Sequence, residues 1–568
     1  MDKCIDSRLF CIHTKFWHNS LQNRCELLVK EKILPYCENC GAELSAGARF
    51  CEECGAEIDS NNEPVATNIL KDGNDNLDYS STFIGDWREK WTKAAQATNN
   101  DELGIILTDI KALATQLSCS NTDLSAAISS YTISAKERGV HYHLLDLGNN
   151  GISNIDGKNV QAMVNLLKTI VSFARPKYLL ILGNEEIVNV NYWENKCADH
   201  DDEVAADLPY ATLNTTSPWE GQKYDFSQVL RVGRIPSYRG ERLAQFAIYF
   251  KNALAGINSI NRIVPYGLSA LVWEAASAAQ YNRIACSKID TSPSVTLENI
   301  KGTLPQDANI LYFNLHGSDQ TKFWYGQEGF SYPETFSPET IKSLKGPYFL
   351  GVEACYGARY TDGLTADDSI VLSAMQNGCL ALLGSSKIAY GPCVPPANCA
   401  DIVIGTFLKK ICDGESAGDA YCEALTELMN SETPDDSTIK TLAEFSLYGD
   451  PSARTRKNIA KSILSKAIAG ASKGIHVPMP NIRRTVNAKL VDADCKAVLA
   501  YRNNPAKFVA NRNFNIADYL QDVEPKYYQV GQSNLYQAVY NKMIGLHKAT
   551  IKVYFDENGN VKKELFSK

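Results

Sequence analysis

Short apolar runs alternate with longer amphipathic segments from residue 140 to residue 386 of this sequence. The runs are HYHLLDLG, KYLLILG, VLRVGRIP, GLSALVW, NILYFNLHG, PYFLGVEAC and CLALLGSS. Helix-length segments such as 158–174 and 240–255 lie between several of them. Strands that alternate with helices pair mostly in parallel, and strands that are apolar on both sides must be covered on both faces. The pattern therefore predicts an α/β fold with a mostly parallel sheet flanked by helices.

Composition limits the classes of protein to consider. The chain has 568 residues, of which 44% are hydrophobic and 21% charged, as expected for a soluble protein with several domains. A formal net charge of −8 disfavours a general role in binding nucleic acid or membrane surfaces. The first residues, MDKCIDSRLFCIHTKFWHN, lack the apolar core of a secretory signal, and no apolar stretch is long enough to span a membrane. We therefore expect a soluble cytoplasmic protein.

Four of the 17 cysteines form two C-x-x-C pairs, Cys37/Cys40 and Cys51/Cys54. Each pair can turn two thiolates toward one metal ion, so the two pairs together supply the four sulfur ligands of a tetrahedral zinc site. In a reducing compartment such cysteines bind metal rather than form disulfides. The segment resembles the small zinc-ribbon modules of many unrelated prokaryotic proteins, which bind proteins or nucleic acid or cap a terminus. Its four Glu against one Arg disfavour binding to phosphates.

Composition and periodicity divide the chain into six segments. They are an N-terminal extension (1–36), the zinc ribbon (37–56), a linker (57–80), a helical segment (81–139), the main α/β domain (140–456) and an accessory α+β region (457–568). The helical prediction rests in part on Leu103, Ile106, Leu107 and Ile110, which recur at helical spacing. The accessory region ends in a predicted hairpin, because Glu557–Asn560 has the composition of a tight turn.

Two of the apolar runs end in residues that can carry chemistry. NILYFNLHG ends in His316 and Gly317, and PYFLGVEAC ends in Cys355. Functional groups in open α/β sheets collect just beyond the carboxyl ends of strands, so neighbouring strands would bring the imidazole and the thiol together. A free thiol, with a pKa of about 8.5, needs such a base near neutrality. Either residue alone would be interpreted as packing or as part of a loop, but together they predict a nucleophile and its base.

Backbone amides at the same strand ends are candidate oxyanion donors. The N–H groups of Gly317 and Cys355 are the natural pair for this role, and Gly317 also leaves room for a substrate backbone. Glu353 lies two residues before Cys355 and therefore on the same face of the strand. It either contacts the site or forms a structural ion pair.

His-Gly after one apolar strand and Ala-Cys after the next resemble the pattern of the caspase–hemoglobinase clan of cysteine peptidases. Within that clan the sequence is most similar to the gingipain family, over roughly residues 140–455. Supporting segments follow in the family's order: KYLLILGNEEIVNVNYW, ADLPYATL with VLRVGRIPS, YFNLHGSDQTKFW, CLALLGSSKIAYG and FSLYGDPSAR. The resemblance implies a cysteine endopeptidase that forms a thioester acyl-enzyme and needs no cofactor for its chemistry.

The family also implies acids that select Arg or Lys at P1 or orient the histidine. The corresponding segment here, GLSALVWEAASAAQYN, is shorter and retains only Glu274. Glu274 is thus the imidazole partner, the specificity acid, or a helix N-terminal residue favoured by the helix dipole. Tyr390 stands where the family has an aromatic wall of the S1 pocket, with plain packing as the alternative.

The acidic run from Asp199 to Glu203 is a further feature of this domain. A solvated loop is the first interpretation, and a Ca²⁺ site or a processing loop is the alternative.

The sequence therefore supports two hypotheses of different classes. The first is a cysteine endopeptidase with a Cys355–His316 dyad, cutting protein substrates after Arg or Lys. We expect it to be under regulatory control, since an unregulated protease in the cytoplasm would be toxic. The second is a catalytically silent caspase-like binding or scaffold protein that recruits a partner through its zinc ribbon.

Overall fold

The computed structural model describes residues 92–93, 102–148, 156–220, 224–260, 262–285, 287–431, 434–455, 488–504, 506–508, 515–531 and 533–568. The chain forms two compact units, residues 1–78 and 79–568, and all of the described residues belong to the second. The predicted extension, zinc ribbon and linker lie outside the described residues. None of the described helices is long and apolar enough to cross a membrane.

Twenty strands occur in the described residues. In chain order they are β1 (Glu102–Thr108), β2 (Val140–Asp146), β3 (Tyr178–Leu182), β4 (Asn191–Glu194), β5 (Glu203–Ala206), β6 (Arg231–Ile235), β7 (Pro265–Ala270), β8 (Asp290–Ser292), β9 (Ile310–Asn314), β10 (Trp324–Tyr325), β11 (Glu334–Phe336), β12 (Tyr348–Val352), β13 (Cys379–Ser385), β14 (Tyr390–Gly391), β15 (Phe445–Gly449), β16 (Ala488–Leu490), β17 (Lys526–Val530), β18 (Leu535–Ile544), β19 (His547–Asp556) and β20 (Val561–Ser567).

The described helices alternate with these strands over most of the chain. They are α1 (Ile110–Gln116), α2 (Asn121–Glu137), α3 (Val160–Ala174), α4 (Leu208–Thr212), α5 (Leu243–Phe246), α6 (Ile248–Ser259), α7 (Glu274–Ile284), α8 (Ile300–Thr303), α9 (Pro338–Ile341), α10 (Ile370–Gln376), α11 (Cys399–Asp413), α12 (Ala417–Ser431), α13 (Asp436–Glu444), α14 (Lys496–Arg502) and α15 (Ile516–Tyr519).

A ten-stranded sheet forms the centre of the unit, in the order β2-β1-β3-β6-β15-β13-β12-β9-β7-β8. Only the β13–β15 pair is antiparallel, so the sheet consists of two five-stranded parallel halves that run in opposite directions. Strands β3, β9 and β12 are buried along their whole length, as their continuous apolar runs require. The predicted mostly parallel α/β fold is confirmed.

Helices cover the sheet where strand side chains leave space for them. Helix α11 packs on β12, where Ile404 and Leu408 lie close to Gly351. A side chain in place of Gly351 would overlap both of these residues. Helix α11 begins at the Asn398 cap and ends at Gly414 in the left-handed conformation. This close helix–strand contact fixes the position of α11 relative to β12.

The predicted helix around residues 103–110 was wrong. Residues 102–108 form β1, which pairs with β2 and β3 inside the main sheet, and helix α1 begins only at Ile110. Ile105, Ile106 and Leu107 are all buried, because β1 is covered on both faces. A short strand of this kind shows no period of two, so its spacing cannot be distinguished from that of a buried helix. The sheet therefore begins at residue 102 rather than at residue 140.

The C-terminal residues form a second, six-stranded antiparallel sheet in the order β14-β20-β19-β18-β17-β16. The predicted hairpin is confirmed as β19 and β20, with Gly559 in the left-handed conformation of its turn. The described part of the segment 480–530 contains β16, α14, α15 and β17. Strand β14 follows β13 of the main sheet, so it links the two sheets.

Candidate active site

His316 and Cys355 follow two strands that are neighbours in the main sheet. Strands β9 and β12 are paired in parallel, with Phe313 opposite Val352. His316 comes two residues after the end of β9, and Cys355 comes three residues after the end of β12. The predicted proximity of the two strand ends is therefore confirmed, and both candidate residues lie at the same edge of the sheet.

The imidazole of His316 lies between aromatic rings. Its ring centre is 4.3 Å from that of Trp273 and 4.9 Å from that of Tyr332. Its Nε2 atom is 2.7 Å from Gln327 Oε1, and its backbone is hydrogen-bonded in both directions to Tyr325. Burial lowers the pKa of His316 well below its ordinary value of 6.5. Burial thus favours the neutral form of the imidazole.

The thiol of Cys355 is also buried, with 3% of the residue exposed. It lies 3.7 Å from the Ala389 carbonyl oxygen, to which it donates a weak hydrogen bond. Burial raises the pKa of the Cys355 thiol above its ordinary value of 9.0, and the acidic side chains of Glu444 and Asp201 raise it further. Within the described part of the chain no hydrogen bond joins Cys355 to His316. The site is therefore a resting arrangement of a neutral thiol and a neutral imidazole.

The two predicted oxyanion donors differ in their surroundings. The Cys355 N–H donates a hydrogen bond to the backbone oxygen of Lys568 at 3.1 Å. This amide is therefore already bonded to a carbonyl oxygen, as an oxyanion donor would be. Gly317 packs directly against the Cys355 carbonyl group, which a side chain at this position would overlap. The absence of a side chain at Gly317 thus makes room for the backbone of Cys355. Its role as a second donor stays a prediction.

The side chain of Lys568 fills a pocket beside Cys355. Its Nζ atom lies 2.9 Å from Asp401 Oδ1, 3.2 Å from Glu353 Oε2 and 4.7 Å from the centre of the Trp273 ring. None of these three charged side chains is exposed. Glu353 therefore forms the ion pair that was one of its two expected alternatives, and its contact with the active site stays a prediction.

Glu274 and Tyr390 lie near the site in different ways. Glu274 is the first residue of α7 and follows Trp273, whose ring packs on His316. The side chain within hydrogen-bond distance of the imidazole is that of Gln327, and the role of Glu274 as its partner stays a prediction. Tyr390 is fully buried and donates its hydroxyl to Asp199 Oδ2 at 2.7 Å. Its ring packs in a cluster that includes Cys355, which is the packing alternative of the sequence analysis.

Residues of the C-terminal sheet close the cleft above His316. The ring of His547 stacks on Tyr332 with 4.6 Å between ring centres and lies 5.9 Å from the His316 ring. Ser318 donates its hydroxyl to the Leu546 carbonyl, and Lys548 forms an ion pair with Asp319 at 2.7 Å. A cavity of about 20 Å³ remains beside His316, which is room for about one water molecule. The cleft is therefore shut in this conformation.

The acidic run is buried rather than solvated at two of its positions, so the solvated-loop interpretation was wrong there. Asp199 and Asp201 each lie 2.7 Å from Nζ of Lys440, and this amine is completely buried. The ammonium of Lys440 occupies the place that a Ca²⁺ ion would need between the two carboxylates. The Ca²⁺ alternative is accordingly not supported. No group of three or more potential metal ligands occurs among the described residues.

Four residues of the site were missed by sequence reasoning. Gln327 lies between β10 and β11, Asp401 in α11, His547 at the start of β19 and Lys568 after the end of β20. None of them belongs to the motifs that the sequence displays. Asp401 had one local signal, since it is an acid in the first turn of an α-helix, but capping explains such an acid equally well. The other three are brought to the site only by tertiary packing.

Comparison with known proteins agrees with these features. A model of peptidase family C25 matches residues 258–456, which include both His316 and Cys355. A model of a zinc-ribbon domain matches residues 36–58, which include all four predicted zinc cysteines. None of the curated proteins matches the chain.

Two similar solved structures are gingipain structures. One is the Arg-specific cysteine proteinase gingipain R (RgpB), with 11% identity over 82% of this chain and 91% of that chain and a TM-score of 0.45. The other is a complex of Porphyromonas gingivalis RgpB pro- and mature domains, with 11% identity over 81% of this chain and 99% of that chain and a TM-score of 0.45. This likeness is too low to transfer the properties of either protein.

The two adjacent strand ends and the family-model match define a gingipain-like cysteine peptidase with an N-terminal zinc-ribbon module. More particularly, residues 258–456 match the model of peptidase family C25, and the predicted class of enzyme, a cysteine endopeptidase, is confirmed.

Proposed function

We propose that Cys355 is the nucleophile and His316 the general base of this endopeptidase, and that it cuts after a basic residue under regulatory control. The observation that carries the proposal is the position of the two residues at the ends of the paired strands β9 and β12, within the segment that matches peptidase family C25. Preference for a basic residue is supported by the buried carboxylates of Glu353 and Asp401, which pair with the Lys568 ammonium. The backbone oxygen of Lys568 in turn accepts the Cys355 N–H.

In the proposed reaction Cys355 Sγ attacks the carbonyl carbon of the scissile bond while the thiol proton passes to His316. The resulting oxyanion accepts a hydrogen bond from the Cys355 N–H, with the Gly317 N–H as the second donor. The C–N bond then breaks, and the imidazolium gives its proton to the leaving amine, which leaves a thioester on Sγ. Water attacks the thioester with His316 as base, the carboxylic acid product leaves, and the proton returns to the thiolate.

Regulation is part of the proposal because the resting site is closed. Thiol and imidazole each bond to another group, Ala389 and Gln327, and residues of the C-terminal sheet cover the imidazole. A productive complex requires the thiol to turn from Ala389 toward His316. The zinc ribbon fits a recruiting role: Cys37, Cys40, Cys51 and Cys54 would hold one structural Zn²⁺, and the folded ribbon would bind a regulatory protein in the cytoplasm.

Turnover of fluorogenic peptides tests the dyad directly. Peptides with Lys, Arg, Asp or Asn at P1 are incubated with the wild type, Cys355→Ala and His316→Ala. We expect kcat/KM to fall by at least about 1,000-fold in both variants. Cys379→Ala, which removes a buried thiol of β13 away from the site, is the matched control and is expected to keep full activity. Turnover that persists in Cys355→Ala would disprove the assignment.

A silent binding protein is the second candidate, favoured by the missing hydrogen bond between thiol and imidazole among the described residues. A chloromethyl ketone peptide ending in Lys distinguishes the two, because only an activated thiol reacts with it. Mass spectrometry of the wild type and of a Lys568→Ala chain would show one covalent adduct at Cys355 in an active enzyme. Absence of labelling in both chains would favour the silent protein.

A further inference from the structure

Strand β20 lies in the site as a bound peptide would. Ser567 and Phe566 pair antiparallel with Tyr390 and Gly391 of β14. Lys568 continues this pairing, since its N–H donates to the Ala389 carbonyl at 2.9 Å. Extended peptides bind to proteins by adding a strand in this manner.

The backbone oxygen of Lys568 marks the reacting position. It accepts the Cys355 N–H at 3.1 Å. An acyl group that is transferred to Cys355 must present its carbonyl oxygen to this amide, because the oxyanion develops there. Lys568 therefore takes the place of the residue on the acyl side of the scissile bond, which is P1.

The pocket that receives the Lys568 side chain is built from two elements. Glu353 precedes Cys355 by two residues, and Asp401 lies in the first turn of α11, which packs on β12. Their carboxylates lie 3.2 Å and 2.9 Å from Nζ. Apart from that ammonium, neither Glu353 oxygen nor Asp401 Oδ2 has a well-aligned hydrogen-bond donor in the described part of the chain. Buried carboxylates left open in this way need a cationic ligand.

The dimensions of the pocket favour lysine over arginine. A Cβ atom at Gly391 would overlap Lys568 Cε and lie 2.6 Å from Nζ, so the pocket wall touches the end of the lysine stem. A guanidinium is longer and planar, and it needs more room than a compact ammonium. Burial and the neighbouring Asp401 raise the pKa of Glu353 well above its usual range. Burial and Asp401 thus disfavour the charged form of Glu353, while the ammonium of Lys568 favours it.

We infer that Glu353 and Asp401 form an S1 pocket selective for lysine, and that β20 with Lys568 is a substrate-like inhibitory segment that occupies it. The inference rests on the proposed function, whose site it completes. A substrate must displace β20 before its own P1 lysine can enter. Because β20 belongs to the same chain, its effective concentration at the pocket is high. The apparent affinity for substrate is therefore the intrinsic affinity multiplied by the fraction of chains in which the pocket is empty.

Release of the segment is tested by Lys568→Ala in the full chain, with Lys562→Ala as the matched control. Lys562 lies on the same strand but is exposed and pairs with Asp556 at 3.0 Å. We expect Lys568→Ala to raise kcat/KM for a lysyl fluorogenic peptide by about tenfold or more, mainly through a lower KM, and Lys562→Ala to leave it unchanged. Lys568→Met, which keeps the stem and removes the charge, serves if the alanine variant does not fold.

Selectivity is tested in the Lys568→Ala chain with two peptides that differ only in lysine or norleucine at P1. Norleucine has the lysine stem without the ammonium. We expect Asp401→Asn to reduce the lysine-to-norleucine ratio of kcat/KM by about 100-fold, as for a broken buried ion pair. Glu353→Gln is expected to reduce it less, since glutamine resembles a neutral carboxyl. A ratio unchanged by Asp401→Asn would disprove the pocket assignment.

The outcomes separate this inference from the proposed function. Absence of Cys355-dependent turnover in both the wild type and Lys568→Ala overturns the proposed function. Turnover that depends on Cys355 but is not raised by Lys568→Ala or Lys568→Met overturns only the inhibitory role of β20. Circular dichroism and thermal melting confirm that each variant is folded.

Discussion

Two buried lysines in this protein each face a pair of carboxylates, and the two clusters are completed differently. Lys440 contacts Asp199 and Asp201, both at 2.7 Å, and Lys568 contacts Asp401 and Glu353. In the first cluster the carboxylates also accept hydrogen bonds, including those of the Tyr390 and Tyr356 hydroxyls and the Ile388 N–H. In the second, three of the four carboxylate oxygens have no aligned donor among the described residues.

The difference separates a structural network from a ligand site. Buried charges are tolerated when every oxygen and proton has a partner, and then they rigidify the structure. Lys440 lies inside helix α13 and cannot leave its carboxylates while the chain is folded. Lys568 follows the end of β20, and its backbone oxygen accepts a hydrogen bond from the Cys355 N–H. We call the cluster of Lys568, Asp401 and Glu353 the open cluster. It is suited to release Lys568 and to bind the P1 lysine of a substrate in its place.

Removal of the Lys440 charge should have the largest effect on stability. Lys440→Met leaves two buried carboxylates without a cation, which is expected to reduce the free energy of unfolding by about 3–5 kcal/mol. Lys568→Met should cost clearly less, because release of β20 admits water to Glu353 and Asp401. Urea unfolding of both variants measures the difference. Equal losses would show that the second cluster is as structural as the first, and Lys440→Met is not expected to raise turnover.

Gly391→Ala should affect only the open cluster. Its methyl group would overlap Lys568 and lie 2.8 Å from Asp401 Oδ1, so it excludes a lysine side chain of either origin. We expect a loss of about 1–3 kcal/mol in binding a P1 lysine, or roughly 5- to 150-fold in kcat/KM for lysyl peptides. Gly302→Ala, in helix α8 with open space around it, is the control and should leave kcat/KM for lysyl peptides unchanged. Unchanged lysyl turnover in Gly391→Ala would place the P1 side chain elsewhere.

The smallest expected effect is an opposite pH dependence of the two clusters. Burial alone would raise the pKa of Asp201, but Lys440 holds it below its ordinary value of 3.8. Its contribution to stability is therefore present above pH 3.8 and is lost as the pH falls through the lower folded pKa. Burial and Asp401 raise the pKa of Glu353 above 4.5. Its contribution is present below pH 4.5 and is lost as the pH rises through the folded pKa.

Unfolding of Asp201→Asn and Glu353→Gln relative to the wild type, at several values between roughly pH 3 and pH 8, measures this dependence. Each unit of pKa difference corresponds to about 1.4 kcal/mol. The stabilising effect of Asp201 should shrink toward acid pH, and that of Glu353 should shrink toward neutral pH. The same slope for both variants would contradict the assigned directions.

Local patterns predicted much of the fold and part of the site. The apolar runs predicted strands β9, β12 and β13, and the rule that functional groups follow strand ends predicted that His316 and Cys355 lie at one edge of the sheet. The same kind of pattern failed at β1, because a fully buried strand and a buried helix turn have the same composition. Burial of Asp199 and Asp201 was also missed, since their cation lies far along the chain at Lys440.

The sequence by itself determined the features that depend on spacing within a few residues: the four cysteines of the ribbon, the alternation of strands and helices, and a histidine and a cysteine that each follow a strand. Tertiary structure alone decided which groups meet at the site. The contact of Asp401 with Glu353 depends on how α11 packs on β12 at Gly351, and the position of Lys568 depends on the pairing of β20 with β14. Such contacts join residues far apart in the chain, and no local pattern specifies them because their geometry is set by the packing of whole elements.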